Sequence, residues 1–452
     1  VEHTFAYRGH EEVWRGASPL TPDEVRFLDR FCAERAIELV PNQNSFGHFH
    51  RWLVHERYRP LAECPDGIVH PFSLAPEPFS LCAVDPRVPD LLADLYDQLL
   101  PCFASRQVNV GLDESFDLGR CRSRAACEER GRHRVYLDFL RTVHRLVAER
   151  GRRMQFWGDI VLEEPAAIPE LPADAVALVW GYEAGHPFVE QGERFRAAGL
   201  DFLLCPGTSS WTSLTGRTTN AVANVAEAAA AAAATGAAGV LITDWGDFGH
   251  LQPLTAALPG LLAGAAAAWN PGAPLGRDEL PERLDRHVFL DPAGVAGRAA
   301  CDLGDTYLVA GGGNRNGAAY VRLLLHPERD LDHPLFAGWS DESLAAAIEH
   351  LKGVVATLPA ARPAAPDGAL VLAELHWSAD AVAFACRLAR ARLAAGRPAP
   401  VEAIPAATRA RLLHELSNLL ARRRALWLER NRPGGLDHAF SFLQPLAQKL
   451  AG

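Results

Sequence analysis

"NVGLDESFDLG" (residues 109–119) places two adjacent carboxylates, Asp113 and Glu114, directly after a short apolar run that is typical of a buried strand. Neighbouring side chains of a regular strand point to opposite faces, so the pair can reach one pocket only if the backbone bends there. Glycines on either side favour such a bend. Adjacent carboxylates also repel each other, which raises the pKa of one of them and suits a general acid near neutral pH.

Short strands of the same kind recur along the first 270 residues and alternate with helical stretches. This alternation predicts a parallel sheet built from βα units. The predicted strands are residues 1–7, 37–42, 108–113, 154–159, 175–182, 202–207 and 239–247. The predicted helices between and after them are residues 21–35, 89–100, 132–150, 189–198, 221–234 and 254–268.

Seven strands are one fewer than a TIM-type (β/α)8 barrel contains. We therefore expect an α/β fold with such a barrel over residues 1–270, its first strand missing upstream of Val1. An open doubly wound sheet is the alternative. Residues 271–452 predict an all-helical C-terminal region, because residues 341–357, 378–395, 408–430 and 436–450 show helix-like apolar spacing. Residues 362–368 predict a turn, and residues 309–317 a flexible Gly-rich loop. Two roles stay open for this region, a homodimer interface or a brace for the barrel.

The composition of the 452 residues, 48% hydrophobic and 22% charged, is that of an ordinary globular protein. A formal net charge of -10 and the lack of a Lys/Arg run predict no nucleic-acid partner. No apolar stretch reaches the roughly 18 residues of a spanning helix, so no membrane partner is predicted. Nine scattered cysteines without a C-x-x-C pair indicate neither a disulfide framework nor a zinc site. This favours a reducing, cytoplasmic location, with a signal peptide upstream of Val1 left open.

The strand ends carry the candidate site, because the active site of a parallel barrel lies at the carboxyl ends of its strands. Those positions hold the Asp113–Glu114 pair together with Asn44, His48, Trp157, Asp159, Trp180, Tyr182, Trp211, Trp245 and Asp247. Tryptophan faces stack on sugar rings, while carboxylates hold hydroxyls and move protons. The pattern therefore predicts a site for sugar binding or sugar cleavage.

The histidines His48, His50 and His55 raise the alternative of a metal site. Their spacing matches no H-E-x-x-H pattern and no thiolate stands near them in sequence, so no metal is predicted. The chain also lacks a P-loop and a strand-linked G-x-G-x-x-G, and no cofactor is predicted. His48 is instead expected to form hydrogen bonds near the sugar or a catalytic carboxylate. A metal-dependent barrel hydrolase is kept as a rival interpretation.

Several of these motifs resemble a known enzyme family. "NVGLDE" (109–114) resembles the His-x-Gly-Gly-Asp-Glu signature of family-20 glycoside hydrolases, the β-N-acetylhexosaminidases. "PNQNSFGH" (41–48) resembles their Pro-Glu-x-Asp-x-Pro-Gly-His strand, and "WGD" (157–159) and "DWGD" (244–247) resemble later strand ends. The order of the motifs is similar across residues 1–269. The chain departs from the family pattern at Asn42, Asn44, Asn109 and Leu112, and at Asp247 where the family has Glu, which indicates a divergent branch.

The resemblance implies an exo-acting β-N-acetylhexosaminidase that removes terminal β-linked GlcNAc or GalNAc from a glycan or glycoside. It implies a retaining, substrate-assisted mechanism through an oxazolinium intermediate. Glu114 would be the general acid/base, and Asp113 would orient the acetamido N–H.

The sugar contacts follow from the same resemblance and from the strand ends. Trp157, Trp180 and Trp211 are expected to form the walls of an acetamido pocket, and Tyr182 to donate to the acetamido oxygen. Trp245 would stack under the ring and Asp247 would accept from its hydroxyls; Asn44 and His48 complete the expected substrate-binding set. A catalytically silent sugar-binding barrel is the first rival, and the intact Asp113–Glu114 pair argues against it.

Overall fold

The computed structural model describes residues 2–397 and 399–452, and its β-structure is a single five-stranded sheet within those residues. The strands follow one another across the sheet in chain order. In β1, β2 and β3 the pairing is parallel, with Val108 opposite Met154 and Phe156 opposite Ala177. The strands are β1 (Gln107–Asn109), β2 (Arg153–Trp157), β3 (Val176–Trp180), β4 (Asp201–Cys205) and β5 (Gly239–Val240).

The strand order distinguishes between the two folds that the sequence left open. A doubly wound sheet reverses its strand order at a switch point, whereas barrel strands succeed one another around the sheet. Here the order never reverses, and an isolated parallel bridge between Asn42 and Asn109 places the preceding segment beside β1. The predicted α/β class is confirmed, and the order favours the barrel.

The prediction of a strand is wrong for two of the segments. Residues 37–42 contribute only the bridge at Asn42, and the described part of 1–7 contributes only a bridge from Phe5 to Leu20, with Val1 outside the described residues. Ile37 is 55% exposed, so this run buries little of the apolar surface that stabilises a strand. Pro41 also lacks the amide that a sheet ladder needs.

Helices precede, connect and follow the strands. In the first 270 residues they are α1 (Glu11–Trp14), α2 (Pro22–Ala33), α3 (His50–Leu53), α4 (Val88–Leu99), α5 (Arg124–Arg130), α6 (Arg132–Ala148), α7 (Asp159–Glu163), α8 (Phe188–Ala197), α9 (Thr218–Thr235), α10 (Asp247–His250) and α11 (Leu258–Trp269). Beyond them lie α12 (Leu280–Leu284), α13 (Ala296–Gly304), α14 (Thr306–Ala310), α15 (Ala319–Leu325), α16 (Asp341–Thr357), α17 (Gly368–Ala394), α18 (Ala406–Arg430), α19 (Leu436–Ser441) and α20 (Gln444–Ala451).

Helix starts with a clear local signal match their predicted positions. Ser340 caps α16 in a reciprocal capping box, and that helix has the predicted bounds. Thr21 caps α2 in the same way, with Pro22 at its first position. By contrast, α17 begins at Gly368, ten residues before the predicted 378.

Helix α17 is long and apolar enough to cross a membrane by length and composition alone. However, 72% of its most apolar window is buried inside the protein. It also carries Glu374 and Arg392, both fully buried. A core helix passes the same test, and the prediction of no membrane partner stays a prediction.

The chain packs into two compact units, called unit 1 and unit 2 below. Unit 1 comprises Val1–Trp180, Pro187–Leu204 and Ala231–Gly239. Unit 2 comprises Gly181–His186, Cys205–Ala230 and Val240–Gly452. Unit 2 thus contains the predicted helical region, whose described residues form no strand. The predicted domain boundary at residue 270 and the two roles of the helical region stay predictions.

Unit 1 contains a disulfide bond that the cysteine pattern did not indicate. Cys64 and Cys121 are bonded, with their Cα atoms 5.3 Å apart and 57 residues between them in the chain. Beside the bond, the buried Glu63 accepts hydrogen bonds from the amides of Cys121 and Ser123. The expectation of no disulfide is therefore wrong, because a pairing over this distance depends on the tertiary fold. The cytoplasmic location stays a prediction.

Candidate active site

In unit 1 the backbone turns sharply after β1, and this turn places the carboxylate pair. Gly111, Leu112 and Glu114 have φ angles of 72°, 72° and 47°. Asn109 Oδ1 accepts a hydrogen bond from the Gly111 amide at 2.8 Å. The Tyr136 hydroxyl donates to Leu112 O at 2.9 Å. Positive φ is unfavourable for residues other than glycine, so the surrounding structure must hold Leu112 and Glu114 in strained conformations.

A second loop brings His48 to this turn. A Cβ atom on Gly47 would lie 2.6 Å from Asp113 O, so only glycine allows the two loops to approach this closely. His48 Nε2 then lies 3.3 Å from Asp113 Oδ2 and 3.1 Å from Glu114 Oε2. The two carboxylates, which would diverge on a straight strand, converge on one imidazole.

The charges of this cluster determine the protonation of His48. Burial disfavours the imidazolium, but the charges and hydrogen bonds of Asp113 and Glu114 outweigh burial and hold the pKa of His48 well above its usual value. Near neutral pH His48 is therefore positively charged. It offsets part of the negative charge that two neighbouring carboxylates would otherwise concentrate.

Asp159, the first residue of α7, is the third carboxyl group of the cluster. Its Oδ2 accepts a hydrogen bond from the Glu114 amide at 3.1 Å. Burial and the nearby charges of Asp113 and Glu114 raise the pKa of Asp159 to about 8, against the opposing hydrogen bonds from the Glu114 amide and Trp180. Asp159 is thus protonated at neutral pH and adds little repulsion to the catalytic pair. The sequence named it only as a strand-end residue without a role.

The remaining candidates of unit 1 differ in exposure. Trp157 is 5% exposed and therefore lies in the core. Trp180 is partly exposed and hydrogen-bonds to Asp159, so its ring can also offer surface to a ligand. Asn44 lies against Gly111, where a Cβ atom would be 2.4 Å from Asn44 Oδ1. Asn44 thus abuts the bend that carries the carboxylates.

Unit 2 holds the other aromatic candidates as one cluster. The rings of Tyr182 and Trp211 meet edge to face, with centroids 5.0 Å apart and an interplanar angle of 85°. Trp245 Nε1 donates to the Tyr182 hydroxyl at 3.0 Å. Tyr182 and Trp245 are partly exposed, whereas Trp211 is 1% exposed and supports Tyr182 from behind. The cluster therefore offers two amphipathic rings on a buried aromatic support.

Asp247 lies beside this cluster at the start of α10 and is partly exposed. Burial lowers the pKa of Arg322 of α15, and the negative charge of Asp247 opposes that shift. Arg322 also lies over the Phe248 ring, 5.3 Å from its centroid. Asp247 thus lies within reach of the charge of a largely buried arginine.

His48, Asp113 and Glu114 are also the described residues that could hold a divalent cation. Each offers one ligand atom, and these atoms lie within 4.8 Å of one another. One imidazole and two carboxylates suit a divalent transition metal. The same three groups can act as an acid/base centre without a metal, and the prediction that none is needed stays a prediction.

Comparison with known proteins identifies the family. The model of "Glycosyl hydrolase family 20, catalytic domain" matches residues 3–269, which is more than half of the chain. The chain belongs to glycosyl hydrolase family 20. No curated protein sequence matches it significantly.

Solved structures of similar proteins cover different shares of this family-20 chain. A crystal structure of a β-N-acetylhexosaminidase is 19% identical, with a TM-score of 0.49, and the match covers 64% of this chain and 67% of that one. The chitobiase of Flavobacterium johnsoniae is 15% identical with a TM-score of 0.49, covering 99% and 72%. The exo β-N-acetylglucosaminidase of Vibrio harveyi, solved with N-acetylglucosamine, is 18% identical with a TM-score of 0.33, covering 43% and 30%. The family assignment rests on the family model and not on these distant likenesses.

Membership of family 20 confirms the predicted TIM-type α/β class with an additional helical region. The protein is a glycoside hydrolase, as its motifs predicted. Within unit 1 the structure brings together His48, Asp113 and Glu114, and within unit 2 it brings together Tyr182, Trp211 and Trp245. The strand-end rule therefore located residues that do form clusters.

Proposed function

We propose that this protein is an exo-acting β-N-acetylhexosaminidase that removes terminal β-linked GlcNAc or GalNAc with retention of configuration. The observation that carries the proposal is the convergence of Asp113 and Glu114 on one charged histidine. Membership of family 20 supports it, because that family is a substrate-assisted exception to the scheme with two catalytic carboxylates.

In the first step the substrate's own acetamido oxygen attacks the anomeric carbon. Glu114 gives its proton to the departing glycosidic oxygen, and the sugar becomes an oxazolinium ion. In the second step water attacks the same carbon from the face that the leaving group vacated. Glu114 takes the proton of that water, the acetamido group is regenerated, and neither carboxylate forms a bond to sugar.

Asp113 is assigned to the acetamido nitrogen. The amide N–H becomes more acidic as positive charge develops in the oxazolinium ring, and a neighbouring carboxylate stabilises that charge. Because Asp159 is protonated, it adds no negative charge beside Asp113 that would compete for this role. His48 lies within 3.3 Å of both carboxylates and restricts their rotamers.

The aromatic cluster of unit 2 is assigned to sugar recognition. Trp245 would stack on a pyranose face and Asp247 would accept from ring hydroxyls. Tyr182 would contact the acetamido group, with Trp211 supporting it. Trp180 is the wall candidate of unit 1, since Trp157 is buried in the core.

The deciding experiment is the release of 4-nitrophenol from β-GlcNAc, β-GalNAc and β-glucose glycosides. The wild type should act on the two acetamido sugars and leave the glucoside intact, because glucose lacks the acetamido nucleophile. Glu114→Gln should lower this activity, although less than on a natural disaccharide because 4-nitrophenol needs little protonation to leave, while Glu128→Gln on the exposed surface of α5 should keep it. Binding of GlcNAc without release of 4-nitrophenol would instead support the silent sugar-binding barrel.

A further inference from the structure

Unit 2 contains a Gly-rich loop, residues 311–317, which connects α14 to α15 in the helical region. The sequence predicts a flexible loop here, yet the side chain of Asn314 secures it. Asn314 Nδ2 donates to Tyr307 O and Gly312 O at 3.3 and 3.1 Å, and Asn314 Oδ1 accepts from the Ala319 amide at 3.0 Å. The loop is therefore fixed to both flanking helices.

An ion pair with a buried arginine attaches the same loop to the segment that carries Tyr182. Both terminal nitrogens of Arg217 lie 2.8 Å from the Glu183 carboxylate. Arg217 also donates to Asn314 O. Arg217 is 2% exposed and the Glu183 side chain 32%, so the contact is shielded from water on the arginine side, and its bidentate geometry makes it specific.

Asn316 of this loop connects the ion pair to the aromatic cluster. Its backbone N–H donates to Glu183 Oε1 at 2.6 Å, and its side-chain Oδ1 accepts from Trp211 Nε1 at 2.7 Å. An indole nitrogen can only donate, so the side-chain oxygen of Asn316 is the group that faces it. Asn316 has a φ of 51°, a left-handed conformation that asparagine tolerates better than most residues.

Trp211 transmits this constraint to the exposed rings. A Cβ atom on Gly207 would lie 2.4 Å from the Trp211 ring, so the indole is held tightly on that side. Its other contacts are the edge-to-face packing on Tyr182 and the bond to Asn316. Tyr182 in turn accepts the hydrogen bond from Trp245.

We propose that Asn316 is a positioning residue of the sugar-binding cluster, supplied by the helical region that lies outside the family-20 catalytic match. By holding Trp211 against Tyr182 it fixes the Tyr182 hydroxyl and the Trp245 ring in the arrangement that recognises the acetamido sugar. The proposal rests on the proposed hexosaminidase function. It also gives the helical region a role in substrate recognition.

Two matched variants of the whole protein test this proposal. Asn316→Gly removes the acceptor and suits the positive φ, whereas Asn316→Asp keeps an acceptor in the same place. With 4-nitrophenyl β-GlcNAc we expect Asn316→Gly to raise KM about tenfold, the effect of roughly one lost hydrogen bond, with little change in kcat. Asn316→Asp should restore most of the affinity. Trp211→Phe removes the donor instead, so its effect should not add to that of Asn316→Gly.

The controls separate positioning from simple loss of stability. Arg315→Ala alters the exposed neighbour of Asn316 and should leave KM and kcat unchanged. The indole 1H–15N signal of Trp211, assigned by its loss in Trp211→Phe, should shift in Asn316→Gly. An active wild type whose Asn316→Gly variant keeps its KM within about twofold would overturn the proposal, even if the variant melts earlier. A wild type inactive on both acetamido glycosides would instead contradict the proposed function, and this inference with it.

Discussion

The carboxylate cluster of unit 1 and the aromatic cluster of unit 2 are positioned by different means. In unit 1 the backbone does the positioning, through positive φ at Leu112 and Glu114 and the close approach of Gly47. In unit 2 the positioning runs through side chains, from Asn316 to Trp211, Tyr182 and Trp245. Charged groups that repel need a covalent constraint to stay together, whereas aromatic rings attract one another and need only a fixed orientation.

The difference predicts different kinetic effects. Changes to the carboxylates should act on kcat, because their contacts strengthen in the transition state. Changes to the aromatic cluster should act mainly on KM, because ring contacts are similar in the ground state and the transition state.

Glu114→Gln should have the largest effect. We expect kcat to fall about 10²- to 10⁴-fold on a natural disaccharide, because the leaving group then departs without a proton. The loss should be smaller on an aryl glycoside, whose leaving group needs little protonation. Rates measured on both substrate types give the test, and equal losses on the two would contradict the assignment of Glu114 as general acid.

Asp113→Asn should have the second largest effect. We expect kcat to fall about 10²- to 10³-fold on acetamido sugars, because one preorganised electrostatic contact is lost. The aryl leaving group should not rescue this variant, because Asp113 acts on the nucleophile. Steady-state rates on aryl glycosides of graded leaving-group pKa provide the measurement. A near-normal rate would remove Asp113 from the mechanism.

Trp245→Phe should have a smaller effect, and on KM instead of kcat. Phe keeps an aromatic face but cannot donate to the Tyr182 hydroxyl, so we expect KM to rise about tenfold at nearly constant kcat. Saturation curves for 4-nitrophenyl β-GlcNAc measure both constants. A fall in kcat with unchanged KM would break the division between the two clusters.

Asp159→Asn should change stability in a pH-dependent way. Because the pKa of Asp159 is raised, the folded state keeps this proton between about pH 4 and pH 8, whereas the unfolded state has lost it. The contribution of Asp159 to the free energy of unfolding of the wild type therefore decreases as the pH rises through that range. Asparagine stays neutral and still accepts from the Glu114 amide. A difference of about four pKa units corresponds to about 5–6 kcal/mol, so the Tm of the variant relative to wild type should rise by about 6 °C across that range. Thermal melts between pH 4 and 9 measure it, and a constant difference would contradict the raised pKa.

Chelation should have the smallest effect, namely none. If the His48, Asp113 and Glu114 group works as an acid/base centre, exhaustive dialysis against EDTA leaves the rate on 4-nitrophenyl β-GlcNAc unchanged. The matching control is the same dialysis followed by addition of Zn²⁺ or Mn²⁺. Activity that disappears on chelation and returns with metal would establish the metal-dependent rival.

The sequence alone determined the chemistry and its order along the chain. The alternation of strands and helices predicted the fold class, and the tryptophans and carboxylates at strand ends predicted a sugar site. The resemblance of the motifs around Asp113 and Glu114 to family 20 implied a glycoside hydrolase. Capping residues such as Ser340 also determined some helix bounds, because their hydrogen bonds are local. These signals can be recognised in the sequence because they depend only on neighbouring residues.

Only the tertiary structure decided which of those residues meet. The sequence placed Trp157 and Trp211 on a pocket wall, and the structure buries both, because exposure depends on what packs on a residue from distant segments. The Cys64–Cys121 bond, the protonated Asp159 and the Asn316–Trp211 contact have the same origin. Each of these contacts joins groups that are at least 45 residues apart in the chain, and the smallest separation is that between Glu114 and Asp159. No local pattern in the sequence encodes such a contact.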